Sequence, residues 1–368
     1  MLDSKRPIPR GGSVRHPALA LVAWRNRLIA SPHFQALVQR ILPGRRIARA
    51  HARRLFDLTA GFVYSQVTVA FVESGLVHSL AARPRTLGEA AEAARLTPEA
   101  ARTLLLAAAS LGLTQRVGDH WTLGTGGAAL LATPGLEAMI RHHRLLYADL
   151  ADPLGLLRGG GGGALARLWD YAPGSNPDDA GNYSELMSAT QPMVAAQALA
   201  AYPFARHRRL LDIGGGSGAF LQAVRDRVPR LEVTLFDRPE VLAASSHLPG
   251  IARQAGDFRR DPLPTGYDLH TLVRVLHDHD DDVALALLRA SRAALGVGGR
   301  LVVLEPMATM GGAPEGHAYF GFYLAAMGSG RPRTVSEIRA MLLKAGFGRV
   351  RQHGTPLPLV ARCLVAQT

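Results

Sequence analysis

Residues 208–237 read RRLLDIGGGSGAFLQAVRDRVPRLEVTLFD, and the order of residue types in this stretch decides the architecture around it. Leu210, Leu211 and Ile213 form an apolar, β-prone run that meets Gly214, Gly215, Gly216, Ser217 and Gly218. An amphipathic segment with Phe220, Leu221, Val224 and Val228 comes next, then a second apolar run closing on Asp237. The pattern predicts strand, tight glycine turn, helix, strand. Glycines let the backbone turn sharply and lie close to a ligand, where a Cβ would stand in the way. The helix after the turn points unpaired N–H groups at the same place. Asp237 ends the second strand about 20 residues after the glycines, where a carboxylate can accept both hydroxyls of a ribose. Such a site suits an adenosine-like cofactor.

The glycines alone do not say which one, because Gly214-x-Gly216-x-x-Ala219 also satisfies a dinucleotide fingerprint. Asp212 argues against that reading: a carboxylate just before the turn repels a pyrophosphate and suits a cationic amino-acid ligand. Further along, strands and helices alternate through IARQAGDF, LHTLVRVL, a helix over 281–295, LVVLEPM, a helix over 334–345, VRQHG and ARCLVAQ. This predicts an α/β, doubly wound, Rossmann-like sheet, whose ligands bind beyond the carboxyl ends of the strands. Gly214, Asp237, Asp257, His277 and Glu305 all fall at such ends. No second mononucleotide half is visible, which counts against a nicotinamide enzyme.

DIGGGSG, Phe236-Asp237, Gly256-Asp257-Phe258 and RVLHDHDD from Arg274 to Asp281 together resemble the motifs of class I S-adenosylmethionine-dependent O-methyltransferases. Within that family the chain is similar to the demethylspheroidene (hydroxyneurosporene) enzymes of carotenoid biosynthesis. That narrower likeness rests on FDLTAGFVYSQV (56–67), HHRLLYADLADPLGLLR (142–158) and YFGFYLAAMGSGRPRT (319–334). The resemblance implies S-adenosyl-L-methionine as cofactor and an antiparallel last strand. His277 becomes the candidate base, since neutral imidazole takes a proton near pH 6.5, and Glu305 the group that holds its tautomer. A helix cap at residue 281 is the plainer role for this cluster, and Asp278 and Asp280 fill it better than histidine. Asp257 is expected at the adenine amine or ribose with Phe258 against the ring, Arg274 at the cofactor carboxylate, and Tyr183 and Met187 near the transferable methyl. Met307, Phe320, Phe322, Tyr323 and Met327 would form a greasy, adaptable acceptor wall fit for a long polyene. Where plant phenolic enzymes carry a second supporting glutamate, this chain has Pro332, which points to a non-phenolic acceptor. No His/Cys cluster has metal-ligand spacing, so metal-dependent methylation is disfavoured.

Ahead of this domain, residues 83–131 read as a winged helix. Thr86 and Glu89 make a capping box, Thr97 caps a second helix with Pro98 in its first turn, and Gly118-Asp119 turns between TQRV and HWTL. The second helix, PEAARTLLLAAASLG, offers only Arg102 as a cation, too little for DNA. The resemblance assigns the module to a homodimer. Organisation is therefore expected as a basic tail (1–17), a mainly helical winged-helix dimerisation domain (18–158), a hinge and roof helices (159–205) and the cofactor domain (206–368). Two short helices are expected between Leu19 and Leu42, broken by Pro32 and Pro43, then a long one from Ile47. The glycine run 159–163 lacks the Lys-Ser/Thr of a phosphate loop and reads as a hinge.

The chain has 368 residues, enough for two domains with cores of their own, and a formal charge of +13. Residues 1–60 carry twelve Lys or Arg against Asp3 and Asp57. A solvated arginine-rich arm is the plain reading; attraction to anionic lipid headgroups is the sharper one. No uncharged apolar run of about 18 residues occurs, so no membrane-spanning helix is expected. The single Cys363 fits a reducing cytoplasm and reads as a buried bystander. Two other activities share the same site: methylation of a bacteriochlorophyllide carbon, or of an aromatic or polyketide hydroxyl. From other classes come a winged-helix regulator that senses the cofactor and a nicotinamide-dependent oxidoreductase.

Overall fold

The computed structural model describes residues 17–40, 42–159, 163–169, 190–245, 248–308 and 314–368. The chain divides into two compact units, Met1–Thr68 and Val69–Thr368. In the first unit, helices Pro17–Ala30 and Pro32–Arg40 precede the long helix Leu42–Glu73, which runs on into the second unit. Pro32 opens the second helix and Pro43 lies in the first turn of the long one, each where no N–H is needed for an intrahelical bond. The long helix starts at Leu42, ahead of the expected Ile47. These helices expose Leu19, Trp24, Leu55, Phe56, Leu58 and Phe62. Gly44–Glu73 is also long and apolar enough, by length and composition, to cross a membrane. The expectation of no membrane-spanning helix rested on the absence of a long uncharged run, and Asp57 is the one charge between Phe56 and Val72.

The second unit opens with the winged helix. The Thr86–Glu89 capping box forms at the head of Leu87–Ala94, and Thr97 Oγ1 accepts the Ala100 N–H at the head of Pro98–Ser110. Strands β1 (Thr114–Val117) and β2 (His120–Leu123) pair antiparallel across Gly118 at φ +58°. Ala101, Leu105 and Ala108 form the buried stripe of the second helix.

The larger sheet has seven strands in the order β5-β4-β3-β6-β7-β9-β8. They are β3 Arg209–Ile213, β4 Glu232–Asp237, β5 Ala252–Ala255, β6 Leu269–Val273, β7 Arg300–Glu305, β8 Arg349–His353 and β9 Arg362–Gln367. Strands β3 to β7 pair parallel; β9 is antiparallel to both β7 and β8. Every residue of central β6 is buried, as a strand covered on both faces requires. Edge strand β5, ARQA, is exposed throughout, and its arginine discourages pairing with another chain. Leu211, Ile213, Phe236 and Leu272 fill one face, and Leu210, Phe220, Leu235 and Leu304 the other. Each buried leucine or phenylalanine there is worth about 1.5–3 kcal/mol. Strand order reverses between β3 and β6, so their carboxyl ends part and leave a crevice. Cys363, in β9, is wholly buried, and burial pushes its thiol up to about 12.

Candidate active site

The crevice opens into a cavity of about 990 Å³, at the large end for a small-molecule site. Its floor is the glycine turn. Gly214 at φ +70° and Gly216 at φ +59° hold backbone conformations that side-chain-bearing residues rarely adopt. A Cβ on Gly215 would lie 2.3 Å from Asp212 Oδ2 and 2.6 Å from Leu235 Cδ1. Asp212 is fully buried beneath that turn and takes the Thr271 hydroxyl at 2.6 Å. Burial first, and then the charge of Asp237, push its carboxyl up to about 7 against the Thr271 bond. Its Oδ2 has no hydrogen-bond partner among the described residues. The turn thus rests on a carboxylate with an unused oxygen, while Gly214, Gly215, Gly216 and Ser217 line the cavity.

Asp237 and Asp257 line the next wall. Asp237 receives the Gly216 N–H on Oδ2 and the Arg238 N–H on Oδ1, both at 2.8 Å. Each carboxylate oxygen has two lone-pair sites, so one remains on each for a ribose diol. Burial raises the Asp237 pKa in spite of those two bonds. Asp257 Oδ1 accepts the Arg259 N–H at 2.9 Å, and Phe258 faces the cavity edge-on to His279, with ring centroids 5.3 Å apart. Floor, acidic wall and aromatic face are the parts that S-adenosyl-L-methionine needs, and they fit it.

Arg274 enters the cavity wall from a left-handed residue, φ +57°. Its guanidinium donates to Thr190 Oγ1 at 2.9 Å and to Gln191 Oε1, on the helix over 190–201. The structure therefore shows side-chain partners for Arg274 on that helix besides its place on the wall.

His277 and Glu305 meet as their strand ends predict. Glu305, 1 % exposed at the end of β7, accepts the N–H groups of Val275 at 3.1 Å, Leu276 at 2.5 Å and His277 at 2.9 Å. His277 Nδ1 lies 2.8 Å from Glu305 Oε2. Burial alone would raise the Glu305 pKa; the imidazole and the N–H groups outweigh it and hold the carboxylate ionised. Because an ionised carboxylate only accepts, Nδ1 carries the proton of that bond.

One expectation fails here. Asp278 does not cap the next helix and leave His277 free; its Oδ1 lies 3.1 Å from His277 Nε2. Residues Leu276–Asp278 form a short 3-10 turn that aims Asp278 inward. Asp280 holds the cap position of helix Asp281–Ala294 without a side-chain cap bond and accepts the Gly330 N–H instead, at 3.0 Å. Asp278 lies on the cavity wall, and burial pushes its carboxyl up to about 6. Burial lowers the His277 pKa, but Asp278 and Glu305 together bring it above its ordinary value.

Of the expected acceptor wall, Met327 lines the cavity. Phe320 sits edge-on to His277, with ring centroids 6.4 Å apart. Phe322 and Tyr323 pack in a roof core with Leu146, Leu156 and Leu165, and Met307 lies in the sheet core beside Leu272 and Ile338. Tyr183 and Met187 lie outside the described residues, as does most of the glycine run. Sequence reasoning missed Gln191 and Ser329 on the wall. It also missed two histidine–tyrosine pairs in the roof, His142–Tyr323 and His143–Tyr319, each 2.8 Å between Nε2 and Oη. The adjacent histidines face tyrosines four residues apart, a spacing that was open to view.

Residues 162–348 match the model of the O-methyltransferase domain family, and the chain belongs to that family. It is 42 % identical to the demethylspheroidene O-methyltransferase of Cereibacter sphaeroides, over 99 % of this chain and 98 % of that protein. Identity to the demethylspheroidene O-methyltransferase of Rhodobacter capsulatus is also 42 %, over 94 % of this chain and 90 % of that one. Among solved structures, human N-acetylserotonin methyltransferase in complex with S-adenosylmethionine superposes with a TM-score of 0.74. It is 24 % identical and matches 86 % of this chain and 97 % of its own.

Proposed function

We propose that this O-methyltransferase methylates the tertiary hydroxyl of an acyclic carotenoid, taking the methyl group from S-adenosylmethionine and using His277 as the proton acceptor. The acceptor class is supported by the two demethylspheroidene relatives, each matched over nearly its whole length. One geometric observation carries the mechanism: the glycine turn after β3 lines the same cavity as Asp278, whose Oδ1 lies 3.1 Å from Nε2 of the Glu305-bound His277.

Bound S-adenosylmethionine supplies a methyl group on a sulfonium, an electrophile that the protein need not activate. The turn and Asp237 would hold it, and Met327 and Leu324 on the cavity wall would keep the acceptor close. An aliphatic alcohol is about as weak an acid as water, pKa roughly 16. Its proton therefore leaves only as the new C–O bond forms, and a base must stand ready. Neutral His277 fills that place with Nδ1–H donated to Glu305, while Nε2 accepts a hydrogen bond from the Asp278 carboxyl, whose raised pKa favours its protonated form. Asp278 lies between Nε2 and the cavity, so the proton passes to the imidazole beside this carboxyl or through it.

The exposed apolar side chains of Pro17–Ala30 and Leu42–Glu73 support a homodimer in which a second copy covers them. The twelve cations of residues 1–60 support a peripheral contact with anionic membrane from the cytoplasm. The deciding assay offers labelled cofactor and a panel of hydroxycarotenoids, chlorophyllides and phenols. Methylation confined to the carotenoids is expected, and methylation of another group alone overturns the acceptor. His277→Ala should abolish turnover with cofactor affinity nearly intact.

A further inference from the structure

The turn that carries His277 is held from outside by the strap Ser329–Arg333. All four of its carbonyls accept a bond from that strap. Arg333 donates from Nη1 to Leu276 O at 2.6 Å and from Nη2 to His279 O at 2.7 Å. The Arg331 N–H donates to His277 O at 3.0 Å, and Ser329 Oγ to Asp278 O at 2.8 Å. Gly330 cannot bear a side chain, because a Cβ would lie 2.0 Å from His277 O. Arg333 is 1 % exposed, with Nε donating to Asp281 Oδ1 at 2.8 Å.

Burying a guanidinium costs several kcal/mol before its bonds repay it, and an apolar side chain of like volume often serves stability as well. A buried arginine spent on two carbonyls of one short turn is therefore better explained by geometry than by stability. We propose that Arg333 is a positioning residue for His277, fixing the turn 276–279 so that the imidazole keeps its alignment between Glu305 and Asp278. The inference rests on His277 being the proton acceptor. His277 faces Asp278 and Glu305, with Arg274 adding an opposing charge and Phe320 packing from the roof. A turn that slackens moves the ring away from both carboxylates, and the ring's affinity for a proton falls.

The test compares Arg333→Lys, Ser329→Ala and His277→Ala in the full chain, measuring kcat against pH, KM, cofactor Kd and Tm. Arg333→Lys should lower kcat about 100-fold, the usual cost of misplacing a reacting group by an ångström, while cofactor Kd stays within about 3-fold. The acid limb of its kcat profile should move to lower pH, and Ser329→Ala should do both more weakly. A folded Arg333→Lys protein with wild-type kcat and an unmoved limb overturns the proposal, as does a lower Tm with no kinetic change. If Arg333→Lys does not fold, Ser329→Ala decides, and wild-type kcat with an unmoved limb there overturns it. His277→Ala separates the two readings: turnover that survives it removes the base itself. Turnover lost there but intact in the strap variants removes only the strap.

Discussion

Glu305→Gln replaces a carboxylate by an amide of the same shape, in a setting where every acceptor site is already used. Oε1 accepts the Val275 and Leu276 N–H groups, and Oε2 accepts the His277 N–H and Nδ1. Whichever way the amide is turned, its NH2 faces two donors. Bonds to a charged acceptor are worth about 1.5–3 kcal/mol each. One loss is recoverable if the imidazole changes tautomer so that Nδ1 accepts a hydrogen bond from the amide N–H, but Nε2 is then protonated and cannot act as base. The net cost is about 2–4 kcal/mol of stability, with kcat lowered about 10³- to 10⁴-fold by the wrong tautomer. Because the Glu305 pKa is lowered on folding, its contribution is present above the ordinary value of 4.5 and is lost only as pH falls through the folded value. The stability gap should thus hold across neutral pH and close in acid. Urea unfolding at several pH values, with single-turnover kinetics, measures both effects. A variant within about 1 kcal/mol of wild type and within about tenfold in kcat refutes the reasoning.

Gly215→Ala forces a Cβ into the space of Asp212 Oδ2. It should weaken cofactor binding by about 1–3 kcal/mol, read by calorimetry, and unchanged affinity in a folded protein means that the turn does not cradle the cofactor. His270, wholly buried in β6 with Nδ1 3.0 Å from Ser291 Oγ, has its pKa lowered to about 4 by burial. A depressed histidine contributes stability above its unfolded value near 6.5 and loses it as pH falls toward 4. This site alone should account for roughly 3 kcal/mol over that window, and His270→Phe should flatten the pH dependence of unfolding there. Tyr323→Phe leaves His142 Nε2 without its partner and should cost about 1–3 kcal/mol. An unchanged Tm would show that the pair adds nothing to the roof.

What the sequence made legible was local. Glycine turn, Asp237, Asp257, His277 and Glu305 lie where strands end, and strand ends are set by apolar runs a few residues long. The winged helix was equally readable, because caps and a Gly-Asp turn are chemistry within four residues. The inward turn of Asp278 was not, since it depends on a strap some fifty residues further on. The acceptor wall failed for a related reason. Which side of helix Pro314–Met327 faces the cavity depends on how it docks against Leu136–Asp149, and residue type alone could not separate wall-lining Met327 from core-filling Met307. The long helix starts earlier than Ile47 because proline, a breaker inside a helix, is tolerated in its first turn, where Pro43 sits.

The left-handed backbone at Arg274 reaches beyond its own side chain. Reversing the chain there costs about 1–2 kcal/mol, and just beyond it three successive amides converge on Glu305 as an internal anion-binding concavity. Those amide dipoles are permanent. Were the neighbouring ring to gain a hydrogen ion and give it up, as proposed, they would keep the carboxylate's negative charge in place throughout. On that proposal each turnover would start from the same electrical landscape, with nothing to reset between one product leaving and the next acceptor arriving.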